Sequence, residues 1–504
     1  MVIALQHQVA QLQRMLFGRR SEKLLADHPS QGFLFGRIEP QEPQGEQNAP
    51  QASPENATAP DSETSATDEE PAPRRRTRHR GRRPLPAHLM RCVHEIHPAE
   101  PERSCPSCGE DKTIFGADVT EELEMIPARF FVNRYVRHKY ACPKCEGSVS
   151  QGPLPPRPLG KGIPGPGFLA DLIASKYAEH LPLYRLQERY RRSEIDLTRS
   201  TLCDWVSHVA GLTAPIAAAL KRMVLSSRKV HTDDTPITVL DPGAQPVGSR
   251  RGYMWVYIGD HDDVVFDFTD SHPRDGPASF LADYRGYLQA DAFSGYDGIY
   301  AHGLIWEVAC WAHARRKFYD TLVHYPAEAQ RVLHLIGRLY AVESRAQALK
   351  VSPEKLLAWR QRFSRRRLER LRRYLDQLAP QVLPKSPLGK AIRYTLNNWK
   401  ALNRYTEASF LCIDNNHSER QIKQMVIGRK NWLFAGSDDG AKNAALLFSV
   451  TVSCKLAGVD PFAYLSDVLM RIHTHPPERI VELVPREWQK RFAPPALTST
   501  QSVA

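Results

Sequence analysis

The chain has no apolar run of the ~18 residues needed to cross a bilayer. The longest candidates, around Val209–Leu220 and Ala444–Val452, stop short of it. Its N-terminus lacks the apolar stretch and small-residue cleavage site of a secretory signal. These absences argue against a membrane-spanning or exported protein, and a cytoplasmic one is expected. Cysteine is scarce, nine among 504 residues, and the number is odd. Four of the nine form two C-x-x-C pairs, which suits a metal in a reducing compartment better than a disulfide framework. Acid is in deficit, with 56 Asp and Glu against 68 Lys and Arg, a formal charge of +12. That excess points to a polyanionic partner, nucleic acid first.

The length suggests several domains, and an apolar content of 42% is enough for a sizeable core. Val2, Leu5, Val9, Leu12 and Leu16 recur at 3-4-3-4 spacing, so 1–36 is expected to hold a short coiled-coil-like helix. Residues 37–90 read as a disordered linker. Its first part, 37–73, carries nine acids against one arginine and almost no large apolar side chain. Its second part holds "RRRTRHRGRR" (74–83), where Arg78, Arg80, Arg82 and Arg83 are candidates for phosphate or minor-groove contacts. In 91–160, Cys105, Cys108, Cys142 and Cys145 can close a tetrahedral thiolate site for a structural Zn²⁺, as in a zinc ribbon. Residues 161–226 show helical periodicity broken at Pro182 and at "SEIDL". Thr198 is an N-cap candidate, and Arg199 opens the second helix of a helix-turn-helix-like DNA-binding region.

From Lys229 the period changes to that of strands. "KVHTDDTPITVL", "RGYMWVYIG" and "DVVFDFTD" read as a three-strand meander, followed by "GYLQADAF" and "LIWEVACW" alternating with helices. Three antiparallel strands, then strands alternating with helices, is the order of a ribonuclease H-like α/β core, placed at 227–324. An all-helical insertion follows at 325–411. Leu368, Leu371, Leu375 and Leu378 make its apolar stripe, with arginines crowding the other faces. The core is expected to resume at 412–445, leaving 446–504 as a C-terminal helical element and tail.

In this strand order Asp233, in the first strand, and Asp291, at the end of the fourth, lie on neighbouring strands. A helix bearing Glu419 can pack across the same edge. Three converging carboxylates repel one another unless a cation neutralises them. All-oxygen ligands favour Mg²⁺ or Mn²⁺, and two such ions suit in-line phosphodiester displacement. Successive strand residues face opposite ways, so only one of Asp233 and Asp234 can enter the cluster. Arg420, Lys423, Arg429 and Lys430, just beyond Glu419, are candidates for holding DNA. His313 receives no role.

These residues also carry a resemblance. "HTDDTPITVLDPG", "RGYMWVYIGD", "LQADAFSGYDGIY", "CWAHARRKF" and "IDNNHSERQIKQMVIGRKNWLFAGSDDGAKNAA" resemble the motif blocks of DDE transposases of the insertion sequence 66 family. "FGRRSEKL", "GRRPLPAHL" and the cysteine pairs resemble that family's N-terminal parts. The resemblance implies that Asp233, Asp291 and Glu419 are the metal-binding catalytic acids. Asp234 stands where the family commonly has Glu, and the N-terminal coiled coil is shorter than usual. Also implied are binding to the element's terminal inverted repeats and to target DNA, a homo-oligomer, helper proteins encoded by the same element, and a bacterial nucleoid setting. Water would cut a phosphodiester at the element end, and the freed 3′-OH would then attack the target strand. A ribonuclease H-like nuclease without strand transfer, and an inactive or regulatory end-binding protein, are the alternatives.

Overall fold

The computed structural model describes residues 162–241, 248–270, 275–301 and 303–493, with 129–140, 150–160 and a few isolated earlier positions. Nearly all of these belong to one compact unit that includes 133–493. The coiled-coil-like segment, Arg78, Arg80, Arg82 and Arg83, and Cys105, Cys142 and Cys145 lie outside the described residues. Cys108 is exposed. Among the described residues no helix is long and apolar enough to cross a membrane.

The unit is a mixed α/β core. Five strands are named β1 (Lys229–Asp241), β2 (Gly248–Ile258), β3 (Val264–Thr269), β4 (Gly286–Ala290) and β5 (Ile305–Ala309). Their spatial order is β3-β2-β1-β4-β5. The first three are antiparallel, and β4 and β5 run parallel to β1. A two-residue strand, β6 (Phe434–Ala435), pairs with the far end of β1. On that side β4 meets only Lys229–His231 and β6 only Thr238–Val239. Residues 232–237 of β1 therefore have no strand partner there, and Pro236, which has no N–H to offer a ladder, falls within the gap.

Helices cover the sheet. They are α1 (Pro166–Ile173), α2 (Leu183–Arg191), α3 (Arg199–Leu225), α4 (Trp311–Tyr319), α5 (Pro326–Ala348), α6 (Pro353–Trp359), α7 (Arg365–Leu378), α8 (Pro387–Asn397), α9 (Asn416–Trp432), α10 (Asp438–Leu456) and α11 (Pro461–Arg471). Thr198 caps α3 by accepting the Thr201 N–H at 3.2 Å. The helix has 27 residues and buries Trp205, Val209, Ile216 and Leu220 in the same core as β2 and β3. It is thus a structural pillar of the core along most of its length, with Arg199 exposed at its start. The edge strand β3 is capped by α10. Ser449 Oγ accepts the Phe266 N–H at 2.8 Å, and Ser453 Oγ, one turn on, accepts that of Val264 at 3.4 Å. An edge closed in this way offers no template for another strand.

A second core lies beyond β5, where Val308, Trp311 and Phe318 meet Ile336, Leu339, Leu371, Leu375 and Leu402. It is built by α5, α7 and α8 and by residues 401–413, all within the stretch that interrupts the chain between α4 and α9. Leu368, Leu371, Leu375 and Leu378 are all buried on α7. A π-helical turn, Arg360–Ser364, joins α6 to α7.

Candidate active site

β1 carries Asp233 into the gap in its pairing. β4 ends at Ala290, one residue before Asp291. Ala292 then takes a left-handed conformation, φ 61°, which an alanine adopts at a cost. This turns the chain away just after the acid, and Asp291 Oδ1 accepts the Phe293 N–H at 3.1 Å. From the insertion, Tyr394 donates its hydroxyl to the Asp291 carbonyl at 2.9 Å. Glu419 lies in the first turn of α9, the helix that packs across the open stretch of β1. Asp234 is on the opposite face of β1, where its charge acts on the buried Tyr257 and Tyr296.

Asp233 senses both of the other acids. Burial pushes the Asp233 carboxyl well above the usual range, and the charges of Asp291, Glu419 and Asp234 push it further. The Asp234 N–H, donated to Asp233 Oδ1 at 2.9 Å, opposes the shift. Glu419 is raised to about 7 by burial, then by Asp414 and Asp291, with Arg316 and Arg420 pulling the other way. Glu419 Oε1 is sealed from solvent and accepts no hydrogen bond. These oxygens are short of positive charge.

His313, left without a role by the sequence, sits beside Glu419, with Nδ1 3.7 Å from Oε1. Among the described residues, Cys310, His313 and Glu419 form a group whose ligand atoms all lie within 4.8 Å of one another. Cys310 makes a poor third ligand. It is fully buried, burial holds its thiol well above the usual range, and its Sγ already accepts the Asn415 N–H at 3.2 Å. The signal that could have placed His313 is "CWAHARRKF" itself. Cys310 follows β5 directly and holds the N-cap position of α4, so a histidine three residues on is one turn into a helix that starts at the same end of the sheet.

The basic residues of α9 divide. Arg420 and Lys430 are exposed, and Lys423 is half-buried. Arg429 turns inward and donates to Thr235 Oγ1 at 3.2 Å and to the Pro236 carbonyl, so it braces β1 two to three residues past Asp233. Asn415 holds the cap position of α9, and Asp414 accepts from the Asn416 N–H and side-chain amide at 3.3 and 3.0 Å.

A raised carboxyl binds its proton more tightly in the folded chain than in the unfolded one. The stability that Glu419 contributes is therefore present below its ordinary value of 4.5 and is lost as pH rises to about 7. In the absence of divalent ions, Glu419→Gln should match the wild type near pH 4.5 and exceed it by roughly 3 kcal/mol above pH 7. Melting scans in chelator across this range check it; equal melting temperatures at pH 8 would show that Glu419 is not strained.

Comparison with known proteins places the chain. The family model described as "Transposase IS66 family" matches residues 161–443, which is more than half of the chain. A "zinc-finger binding domain of transposase IS66" matches 102–146, a "Transposase C of IS166 homeodomain" 4–93, and an "IS66 C-terminal element" 449–485. The Sinorhizobium fredii protein y4jD is 31% identical over 495 residues, 94% of this chain and 91% of that protein. Its relative y4hP, from the same organism, is 32% identical over 424 residues, 78% of this chain and 75% of that protein. With four family segments matched in order along nearly its whole length, this chain belongs to the IS66 family of transposases.

Proposed function

We propose that the protein cleaves phosphodiesters at the terminal inverted repeats of an insertion sequence and joins the 3′-OH ends to target DNA, using Asp233, Asp291 and Glu419 on a ribonuclease H-like core. The observation that carries this reading is electrostatic. Acids from β1, from the end of β4 and from α9 crowd closely enough for Asp291 and Glu419 to raise Asp233. The strand order, three antiparallel followed by two parallel, is that of the proposed core.

The donor set fits hard divalent cations, because it is all carboxylate and leaves a buried Glu419 oxygen without a hydrogen-bond donor. Asp233, Asp291 and Glu419 would hold Mg²⁺ or Mn²⁺, most simply as two ions. Such ions, when bound, lower the pKa of an attacking water or hydroxyl and offset charge on the leaving oxygen. The chain's own residues do the rest. The Asp234 N–H fixes one Asp233 oxygen, and the Phe293 N–H fixes one of Asp291. His313 stands beside Glu419, where it can donate a hydrogen bond to a phosphate oxygen. Arg420, Lys423 and Lys430 on α9, and the exposed Arg365, Arg366, Arg370 and Arg373 on α7, offer cationic contacts for the backbone. The zinc-binding segment, Arg78, Arg80, Arg82, Arg83 and Arg199 are assigned to holding the ends, and a homo-oligomer to pairing them.

The test uses labelled element ends with Mg²⁺ and the full-length protein. Cleavage plus joining is expected. Cleavage without joining would reduce the protein to a nuclease, and retention of DNA without either would reduce it to an end-binding protein. End binding should weaken by roughly tenfold or more between about 50 and 200 mM salt; a flat response would remove the basic surfaces from the footprint.

A further inference from the structure

Between the insertion and α9 the chain runs past β1, β4 and β5 as a segment of turns and bends, 410–415, tied down by buried polar side chains. Gln289 is fully buried on β4, two residues before Asp291. Its Nε2 donates to the Cys412 carbonyl at 2.6 Å and the Asp414 carbonyl at 2.9 Å, and its Oε1 accepts the Cys412 N–H at 3.2 Å. Asn415, also fully buried, makes the other half. Its Nδ2 donates to the Thr232 carbonyl at 2.8 Å, on the residue before Asp233. A carbonyl can only accept, so the amide orientation is fixed and Oδ1 must face His231, 2.9 Å from its Nδ1. His231 therefore carries its proton on Nδ1, and burial keeps the ring neutral, its pKa lowered to about 3. The Asn415 main chain extends the tie. Its N–H reaches Cys310 Sγ at the end of β5, and its carbonyl accepts the Glu419 N–H at 3.4 Å. The Trp311 N–H donates to the Ile413 carbonyl at 3.1 Å.

One short segment is thus bonded next to Asp233, two residues before Asp291 and one turn below Glu419. We infer that Gln289 and Asn415, with His231, are positioning residues: a buried hydrogen-bonded clasp that sets the spacing of the three acids and so the affinity for divalent cations, before any ion is bound. The inference rests on the reading of these acids as the cation site. Its physical basis is that like charges drift apart unless held, and that every polar atom named here is already paired inside the protein, so the clasp does not depend on the ions for its own bonds. Arg429, fixed to Thr235 and Pro236 from the other end of α9, keeps the helix from pivoting about the clasp.

Mn²⁺ binding to the full-length protein, followed by electron paramagnetic resonance without DNA, tests both layers. The wild type should take up Mn²⁺, and Asp233→Asn should lose that uptake. If Asp233→Asn binds as the wild type does, the cation site is elsewhere and the clasp has nothing to position. Asn415→Ala and Gln289→Leu should weaken Mn²⁺ binding by roughly tenfold or more. In cleavage assays they should raise the Mg²⁺ concentration for half-maximal rate, with most of the rate recovered at saturation. A purely structural role predicts the opposite split, unchanged Mn²⁺ affinity in whatever protein folds and a lower maximal rate, and that result would overturn the proposal. Should Asn415→Ala fail to melt cooperatively, Asn415→Ser, which keeps a polar end, gives the same reading. Wild-type Mn²⁺ affinity in both a folded Asn415 variant and Gln289→Leu also overturns it.

Discussion

Asp233→Asn, Asp291→Asn and Glu419→Gln should each cut strand cleavage by on the order of 10³-fold or more, about 4 kcal/mol of barrier, while leaving end binding within a few-fold of wild type. Each substitution keeps the shape of the side chain and removes one negative charge. Folding is therefore spared, and for Asp233 and Glu419, whose carboxyls are raised by burial and then by neighbouring acids, it is favoured in the absence of metal. Activity and stability should move in opposite directions, which random damage to the core would not produce. The check is a cleavage time course on labelled ends beside a gel-shift titration in Ca²⁺ and a melting scan. A variant that retained wild-type cleavage would remove its residue from the site. One that lost binding and melting temperature together would mark that acid as a structural group.

Arg360→Ala should destabilise the protein by about 3–5 kcal/mol. Arg360 is buried in the π-helical turn between α6 and α7. Its guanidinium makes a bidentate pair with Glu343 at 2.9 and 2.7 Å, and donates to the carbonyls of Tyr405 and Ala408 at 3.0 and 2.9 Å and of Ser409 at 3.3 Å. Removing it leaves a carboxylate and three carbonyls without their donor. Arg360→Lys should recover little, because a point charge cannot reproduce the planar fork. Arg360→Met combined with Glu343→Leu should cost less than either single loss, since no buried charge is left unpaired. Melting scans and limited proteolysis within 325–411 would show it; a wild-type profile for Arg360→Ala would mean that the arginine is dispensable. Because Tyr405, Ala408 and Ser409 lie just before the clasp segment, cleavage should fall as well.

Much of the architecture could be read from periodicity. The apolar runs of 229–269 gave strands because β2 is buried on both faces and β1 alternates, and the leucines of α7 gave a helix because they recur on one face. The mixed α/β core and the separate N-terminal segments followed from the order of such patterns. The acids were singled out by the elements that carry them, two strands and a helix, and in the structure Asp291 and Glu419 both act on Asp233.

What escaped depends on tertiary register. His313 meets Glu419 only because α4 begins where β5 ends. Asn415 lies one turn before Glu419 in the sequence, and only the fold reveals that its side chain turns to the sheet, onto Thr232 and His231. Arg360 was hidden beside a run of exposed arginines, since composition cannot tell a guanidinium facing carbonyls from one facing water. Arg429 illustrates the same ambiguity, a basic residue among candidates for DNA whose donors are turned to β1. The π-helical turns at 174–178 and 360–364 carry no compositional mark at all.

The helices that interrupt the sheet also set a timetable. His231 and Asn415, which meet in the finished protein, are 184 residues apart in the chain. A ribosome adding roughly 5–20 residues each second takes about 10–40 s to cover that distance. Asp291 is added 60 residues after His231, and from then until Glu419 is added, 128 residues or about 6–26 s later, the nascent protein holds two of the three acids and cannot yet place the third. A message cut short anywhere in the insertion would thus yield a chain without Glu419, without the helix that packs on the open stretch of β1, and without the α10 and α11 side chains that complete the main core.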